Sequence, residues 1–332
     1  MNTSSISRIL RACGAAALSF AACLPMAALA AWPDKPIRMV VPYAAGGGAD
    51  NTARILAQHM GSTLGQQIII DNKPGAGGVI GADTVAKSPH DGYTVLYDAS
   101  AFSVNPSLRK LPFDAVEDFI PVSLIAIAPQ IVVVPTDAPY KTIAEFLAAA
   151  RKEPGKLNFA SAGGGTASHI AGESLNDQAG INLVHVPYKG GAPALTDLMG
   201  HQVSMYFGNV ASTLGYVQSG RLRALAMSSA KRIPALPDVP TLSESGLPGY
   251  NVVEWNGMFL PKGTPPDVVQ KYARAARDAV ADPEVRKKLL QLGLEPQGST
   301  PEEFTSYVRG EIRRNRCPGE EPAHPGRMSR PG

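Results

Sequence analysis

The residues best able to do chemistry in this sequence lie in two glycine-rich turns, within IRMVVPYAAGGGADNTARIL at 37–56 and LNFASAGGGTASHIAGESL at 157–175. Each turn follows a short apolar run and opens a helical pattern. The first N–H groups of a helix lack intrahelical acceptors and sit at the positive end of its dipole, so such a unit holds an anion without a basic side chain. Neither turn has the Lys-Ser/Thr pair of a P-loop or the spaced G-x-G-x-x-G of a dinucleotide site. A ligand smaller than a nucleotide, a carboxylate, fits best. In the first turn the expected donors are the N–H groups of Ala45, Gly46, Gly47 and Gly48, with Tyr43 lining the pocket. Asp50 is better placed to cap the helix than to meet an anion that its own charge repels. In the second, Ser161 ends the strand, Gly163 and Gly164 make the turn, Thr166 and Ser168 offer hydroxyls, and Ala167 and His169 open the helix. Glycine alone explains a tight connection; two such turns with hydroxyl or amide neighbours favour binding.

Weaker candidates surround these turns. Ser100 and Ser103 follow a strand, where ligands meet the carboxyl ends of open α/β sheets. Asn209 either caps the next helix or faces the cleft. The GAGG of 75–78 reads first as a structural turn after Asn72-Lys73-Pro74, and Lys189 as a solvated charge. Bulky substitution at Gly47 or Gly164 is therefore expected to weaken binding more than removal of the Lys189 charge. For an enzyme the local signals are thin: there is no G-x-S-x-G elbow and no H-E-x-x-H helix. His59, His90 and His185 show no metal-ligand spacing, and His169 suits capping or packing better than catalysis. No metal and no cofactor are expected.

Strands must place these turns. Apolar runs at 37–41, 68–70, 131–134, 203–207 and 222–227 are short and β-branched, as strands covered on both faces are. Ala53, Leu56, Met60 and Leu64 recur at helical spacing between the first two, which gives a βαβ unit and a parallel sheet. Further helices are expected at 143–150, 166–178, 192–199 and 210–218, and near the end after Asp282-Pro283 and at the capping box of Thr300 and Glu303. The chain crosses between two lobes where apolar runs meet at Pro129, and returns near 251–260. One lobe is thus inserted into the other: 31–128 plus 254–314 form the first and 129–253 the second, which makes a hinge.

Arg8 and Arg11, the apolar run at 15–22 and Ala28-Leu29-Ala30 form a cleavable secretory signal over 1–30. The Leu that precedes a lipidated Cys is missing at Phe20. Removing the signal takes the formal charge from +3 to +1 and leaves Cys317 as the one cysteine, so no disulfide framework exists and nothing favours nucleic acid. Residues 315–332 carry four prolines and little to bury, the signature of a disordered tail.

In order along the chain, PIRMVVPYAAGGGAD, DNKPGAGGVIGAD, DFIPVSLIAIAPQIVVVP, SAGGGTASH, VPYKGGAPALTDLMG and GRLRALAMSSAKRIPALPDVPTLSESG resemble the Bug or TctC family of solute-binding proteins, which serve tripartite tricarboxylate transporters. The resemblance spans about 32–314. It implies a two-lobed α/β periplasmic binding protein of the type II-like, Venus-flytrap kind. Such a protein, a monomer, closes on a small organic acid (a di- or tricarboxylate or an amino acid) and presents it to the membrane subunits of the transporter. A sensory binding module and a carboxylate-processing enzyme are the alternatives. The family's gripping loops map onto 43–50 and 161–169, with backbone groups and waters doing much of the recognition. Two positions depart: Ala45 stands where relatives commonly have Pro, and Gly208 where they often have Asp. After Gly310 the family's Lys-Trp pair and apolar stretch give way to EIRRNRCPGEEPAHPGRMSRPG. A frameshift or natural truncation near Arg314 is the expected cause, with lower stability from lost burial. Equal melting midpoints for this chain and one with a family-like terminus would refute that.

Overall fold

A computed structural model of the protein describes residues 32–315; the signal segment, Cys317 and nearly all of the tail lie outside the described residues. Ten helices and ten strands are described. β1 (Ile37–Val41), α1 (Gly48–Leu64) and β2 (Ile68–Asn72) form the first βαβ unit, followed by a 3₁₀ turn at Ala76–Gly78, α2 (Val79–Ala86), β3 (Thr94–Ala99) and α3 (Ala101–Leu108). β4 (Phe119–Pro135) leads to α4 (Ile143–Lys152), β5 (Asn158–Ser161), α5 (Ala167–Ala179), β6 (Val184–Pro187), α6 (Gly191–Met199), β7 (Met205–Asn209), α7 (Val210–Gln218) and β8 (Leu222–Met227). β9 (Val253–Pro261), α8 (Pro266–Ala281), α9 (Pro283–Gln291), β10 (Glu295–Pro296) and α10 (Pro301–Arg314) complete the chain, and no described helix is long and apolar enough to cross a membrane.

The strands run in the order β2-β1-β3-β9-β4-β7-β5-β6, with β8 and β10 also on β4. The expected parallel pairing holds at the flanks, β1 with β2 and β3, and β5 with β6 and β7. At the centre it fails, because β9 lies antiparallel to both β3 and β4, and β7 and β8 lie antiparallel to β4. The sheet is mixed. Its centre departs from βαβ logic because β9 enters from a long irregular segment, free of the crossover helix that parallel pairing requires. At Pro129 the chain stays in strand while its neighbours change. β4 runs unbroken for 17 residues, pairing with β9 up to Pro129 and with β7 from Gln130. It hands one sheet half to the other.

Each half has its own core. Phe102, Phe119, Trp255, Phe259 and Phe304 anchor one, while Phe146, Phe159, Phe207 and Tyr250 anchor the other. Phe304 comes from α10, where the Thr300 side chain and Glu303 form the expected reciprocal capping box. A Cβ on Gly257 of β9 would overlap its ring, so glycine there lets the last helix lie against the sheet. Asp282 Oδ1 accepts the Glu284 and Val285 N–H groups, 3.0 Å each, and starts α9 as its Asp-Pro signal predicts.

Candidate functional site

The first turn sits at the carboxyl end of β1. Gly47, not Asp50, is the N-cap of α1, and it offers no side-chain cap. Asp50 lies one turn inside the helix, nearly fully buried. Its carboxylate accepts Gly46 N–H (2.9 Å), Arg54 Nε (2.9 Å) and Asn72 Nδ2 (3.0 Å), and these donors hold its pKa below the usual carboxylate value despite burial. The helix starts earlier than expected, inside the glycine run at Gly48, so no side chain caps it and Asp50 ties the loop to β2 instead. Gly47 N–H reaches back to Ala44 O (3.3 Å). Ala45 and Gly46 are exposed at the tip. The N–H groups without a protein acceptor are those of exposed Ala45 and of the first helical residues, Gly48, Ala49 and Asp50, which are buried.

The second turn is built the same way. Ala162 N–H donates to Ser168 Oγ (2.8 Å), Gly163 N–H to Ser161 Oγ (3.2 Å), Gly165 N–H to His169 Nδ1 (3.1 Å), and Thr166 Oγ1 to Gly163 O (2.6 Å). Ser161, Thr166, Ser168 and His169 therefore shape the loop with their side chains. Gly164, Ala167 and Ser168 keep free N–H groups. Ser161 Oγ also lies 2.6 Å from His185 Nε2, a distance that suits a catalytic pair. Yet Ser161 is fully buried, and burial followed by the neighbouring His169 pushes His185 down to about 4, so the pair braces the turn.

The His169 and His185 rings stack 4.1 Å apart, and donor atoms of His169, Glu173 and His185 all lie within 4.8 Å of one another. A metal fits this set poorly. Nδ1 of His169 already accepts a main-chain N–H, which puts the ring proton on Nε2, the atom that faces Glu173 at 3.6 Å.

Segments from the two sheet halves meet around the turns. Ala44 N–H donates to Lys189 O (3.1 Å), and a Cβ on Gly190 would come within 2.7 Å of Ala44 N. At the rim, Gly77 of the GAGG segment is left-handed (φ 63°) and touches Gly164 of the second turn. Arg109 bridges them, donating to Ala76 O (3.1 Å) and Gly164 O (3.2 Å). A cavity of about 220 Å³ lies between GAGG, Tyr43, the second turn and Tyr188-Lys189. GAGG and Lys189 thus border the cavity as well as shaping turns, and Arg109 carried no local signal at all.

Deeper, where β4 changes partners, lies a much smaller pocket of about 20 Å³ bordered by Tyr43, Gly48, Thr166, Asn209, Gln130 and Glu254. Asn209 does both of its expected jobs: Oδ1 accepts Ala211 N–H (2.9 Å) as the α7 cap, and Nδ2 donates to Glu254 Oε1 (2.8 Å). A Cβ on Gly208 would overlap Thr213, which explains why this chain has no Asp there. Burial pushes Glu254 up to about 7 against the opposing amides of Asn256 and Asn209. Tyr43 donates to Asp98 Oδ1 (2.8 Å), whose carboxyl burial also lifts to about 7. Ser100 is buried with its hydroxyl unbonded, and Ser103 donates to Ser100 O (2.8 Å); neither borders the two cavities.

Two α/β halves joined by β4 and β9, with glycine turns meeting across them, define the fold of a periplasmic binding protein. A solved structure of the periplasmic binding protein BugD superimposes with a TM-score of 0.83 at 40% identity, covering 86% of this chain and 96% of that one. Rpa4515 of R. palustris with adipate gives 0.83 at 33% identity over 85% and 95%, and MatC from Rhodopseudomonas palustris with bound malate gives 0.80 at 33% over 86% and 98%. Among sequence relatives, the UPF0065 protein in the tcbD-tcbE intergenic region of Pseudomonas sp. (strain P51) is 42% identical over 288 residues, 86% of each chain. The tripartite tricarboxylate transporter family receptor (TctC) profile matches residues 52–317, and the chain belongs to that family.

Proposed function

We propose that this protein is a periplasmic solute-binding protein that captures a small organic acid between two lobes and delivers it to the membrane subunits of a tripartite tricarboxylate-type transporter, acting as a monomer without catalysis or cofactor. The observation that carries the reading is that turns from both halves wall the same two cavities and keep free N–H groups there, Gly48 and Ala49 at the inner pocket and Gly164 at the outer cavity. Relatives solved with adipate and malate support a carboxylate as the ligand. The lobes are 31–128 plus 254–314, and 129–253, hinged where β4 passes from β9 to β7. Ligand shifts the open-to-closed equilibrium by its preference for the closed form. Against an enzyme stands the engagement of both cleft-side imidazoles with turn atoms. A thermal-shift panel of mono-, di- and tricarboxylates, acidic amino acids and aromatic acids tests the reading. A ligand at about 100 times its Kd adds roughly 2.7 kcal/mol of stability. A panel with no shift, or turnover of a bound acid followed by NMR, refutes it.

A further inference from the structure

Glu254 is a buried carboxylate in a pocket proposed to attract carboxylates. It is 8% exposed, and no Lys, Arg or His lines the pocket with it. Both hydrogen bonds to its carboxylate, from Asn209 Nδ2 (2.8 Å) and Asn256 Nδ2 (3.3 Å), fall on Oε1, which leaves Oε2 to the pocket. Gln130 Nε2 and Asn256 Oδ1 are buried without a hydrogen bond near the same crossing of β4 and β9, and the Gln130 amide still lies close enough to Glu254 to favour its charged form alongside the two asparagines. The packing alone does not require an acid here. A buried carboxylate without a cation is costly unless a partner arrives or it takes a proton, whereas a Gln of the same length would serve both amides.

The free N–H groups of Gly48 and Ala49 border this pocket from the other side. A Cβ on Gly48 would overlap the Asn209 side chain, whose amide in turn holds Glu254, so the anion-attracting helix start and the acid lie one side chain apart. A ligand with no cation beside the carboxylate held at the helix start brings only like charge to Oε2. One with a cationic nitrogen next to that carboxylate satisfies both groups. We infer that Glu254 makes this pocket selective for acids that carry an ammonium group next to the carboxylate, and against the plain diacids of the same length. This rests on the carboxylate-capture reading and narrows it.

The test is calorimetric titration of the mature chain with matched pairs: succinate and aspartate, glutarate and glutamate, adipate and 2-aminoadipate. The expected result is at least tenfold tighter binding of the amino member in every pair that binds. Glu254→Gln is expected to erase that preference by weakening the amino member and strengthening its partner, and Glu254→Asp to keep it. If Glu254→Gln fails to fold, the wild-type ratios decide alone. Plain diacids binding as tightly as their amino partners overturn the inference and leave carboxylate capture standing. If no carboxylate of any kind binds, both fail. If a carboxylate-free amine such as 1-aminobutane binds as well as the amino acids, the carboxylate reading fails and the role of Glu254 survives.

Discussion

Replacing Gly77 by Ala tests whether the rim contact between GAGG and the second turn belongs to the liganded, closed state. A Cβ at Gly77 would overlap the Gly164 carbonyl oxygen across the cleft. The left-handed backbone at φ 63° costs an L-residue roughly 1–2 kcal/mol, but it does so open or closed and cancels from the affinity. The overlap exists only when the turns meet. Relieving it withdraws residues 75–78 and breaks the Arg109 bond to Gly164 O, 3.2 Å, a charge-assisted bond worth about 1.5 kcal/mol at this partly open site. With the packing lost around it, the closed form is disfavoured by about 2–3 kcal/mol, which raises Kd by roughly 30- to 150-fold. Calorimetric titration with the tightest acid of the panel reads the affinity, and unliganded melts read the backbone term, about 2–8 °C. Arg109→Ala removes the bridge without the overlap and is expected to raise Kd only about tenfold. An unchanged Kd for Gly77→Ala, or a loss no greater than that of Arg109→Ala, refutes the rim as a closing contact.

Three further outcomes follow from the same geometry. Asp98, lifted to about 7, binds more protons folded than unfolded, so its stabilising contribution is full below its unfolded pKa near 3.8 and is lost as pH rises through 7. The unfolding midpoint is therefore expected to fall as pH rises from about 5 to 7, with Glu254, also lifted to about 7, adding to the slope, and Asp98→Asn to make it shallower; a rising midpoint contradicts it. His169→Ala leaves the buried Gly165 N–H without its acceptor, costing about 1–3 kcal/mol, and is expected to weaken ligand binding as the second turn loosens, measured by titration. Thr300→Ala removes one arm of the α10 capping box and is expected to cost about 1 kcal/mol in denaturant melts with affinity unchanged; altered binding at equal stability would break that separation.

Much of the fold was legible because its signals are local. Residues 210–218 were expected as a helix and are α7, and the 37–41 and 222–227 runs are β1 and β8. Apolar periodicity and caps specify such elements without reference to anything distant. Strand direction at the sheet centre was not legible, since it depends on β9 arriving from residues more than a hundred positions beyond β4 and β3. The site shows the same division. Both glycine turns announce themselves by composition, and Asn209 by its place at a strand end. Glu254, Gln130 and Arg109 sit in a strand, a strand and a helix end, where nothing in the neighbouring residues distinguishes an acid facing a pocket from one facing water. Only pairing across the hand-off in β4 brings Glu254 to Asn209.

The distribution of donors within each turn explains why neither needs an arginine. Most of the N–H groups in the turns are bonded internally, to Asp50, Ala44, Ser161, Ser168 and His169, and those of Ala45, Gly164 and the first residues of α1 and α5 remain unbonded. The internal bonds fix the loop before ligand arrives, so little ordering entropy is lost on capture. The few free donors then act from fixed positions at the positive ends of two helices, in a partly dry cleft where such dipoles count for more than in water. A flexible arginine would add attraction for any anion. Main-chain donors held in this way respond to the shape of the acid, which leaves discrimination by charge to the one carboxylate lining the inner pocket, Glu254.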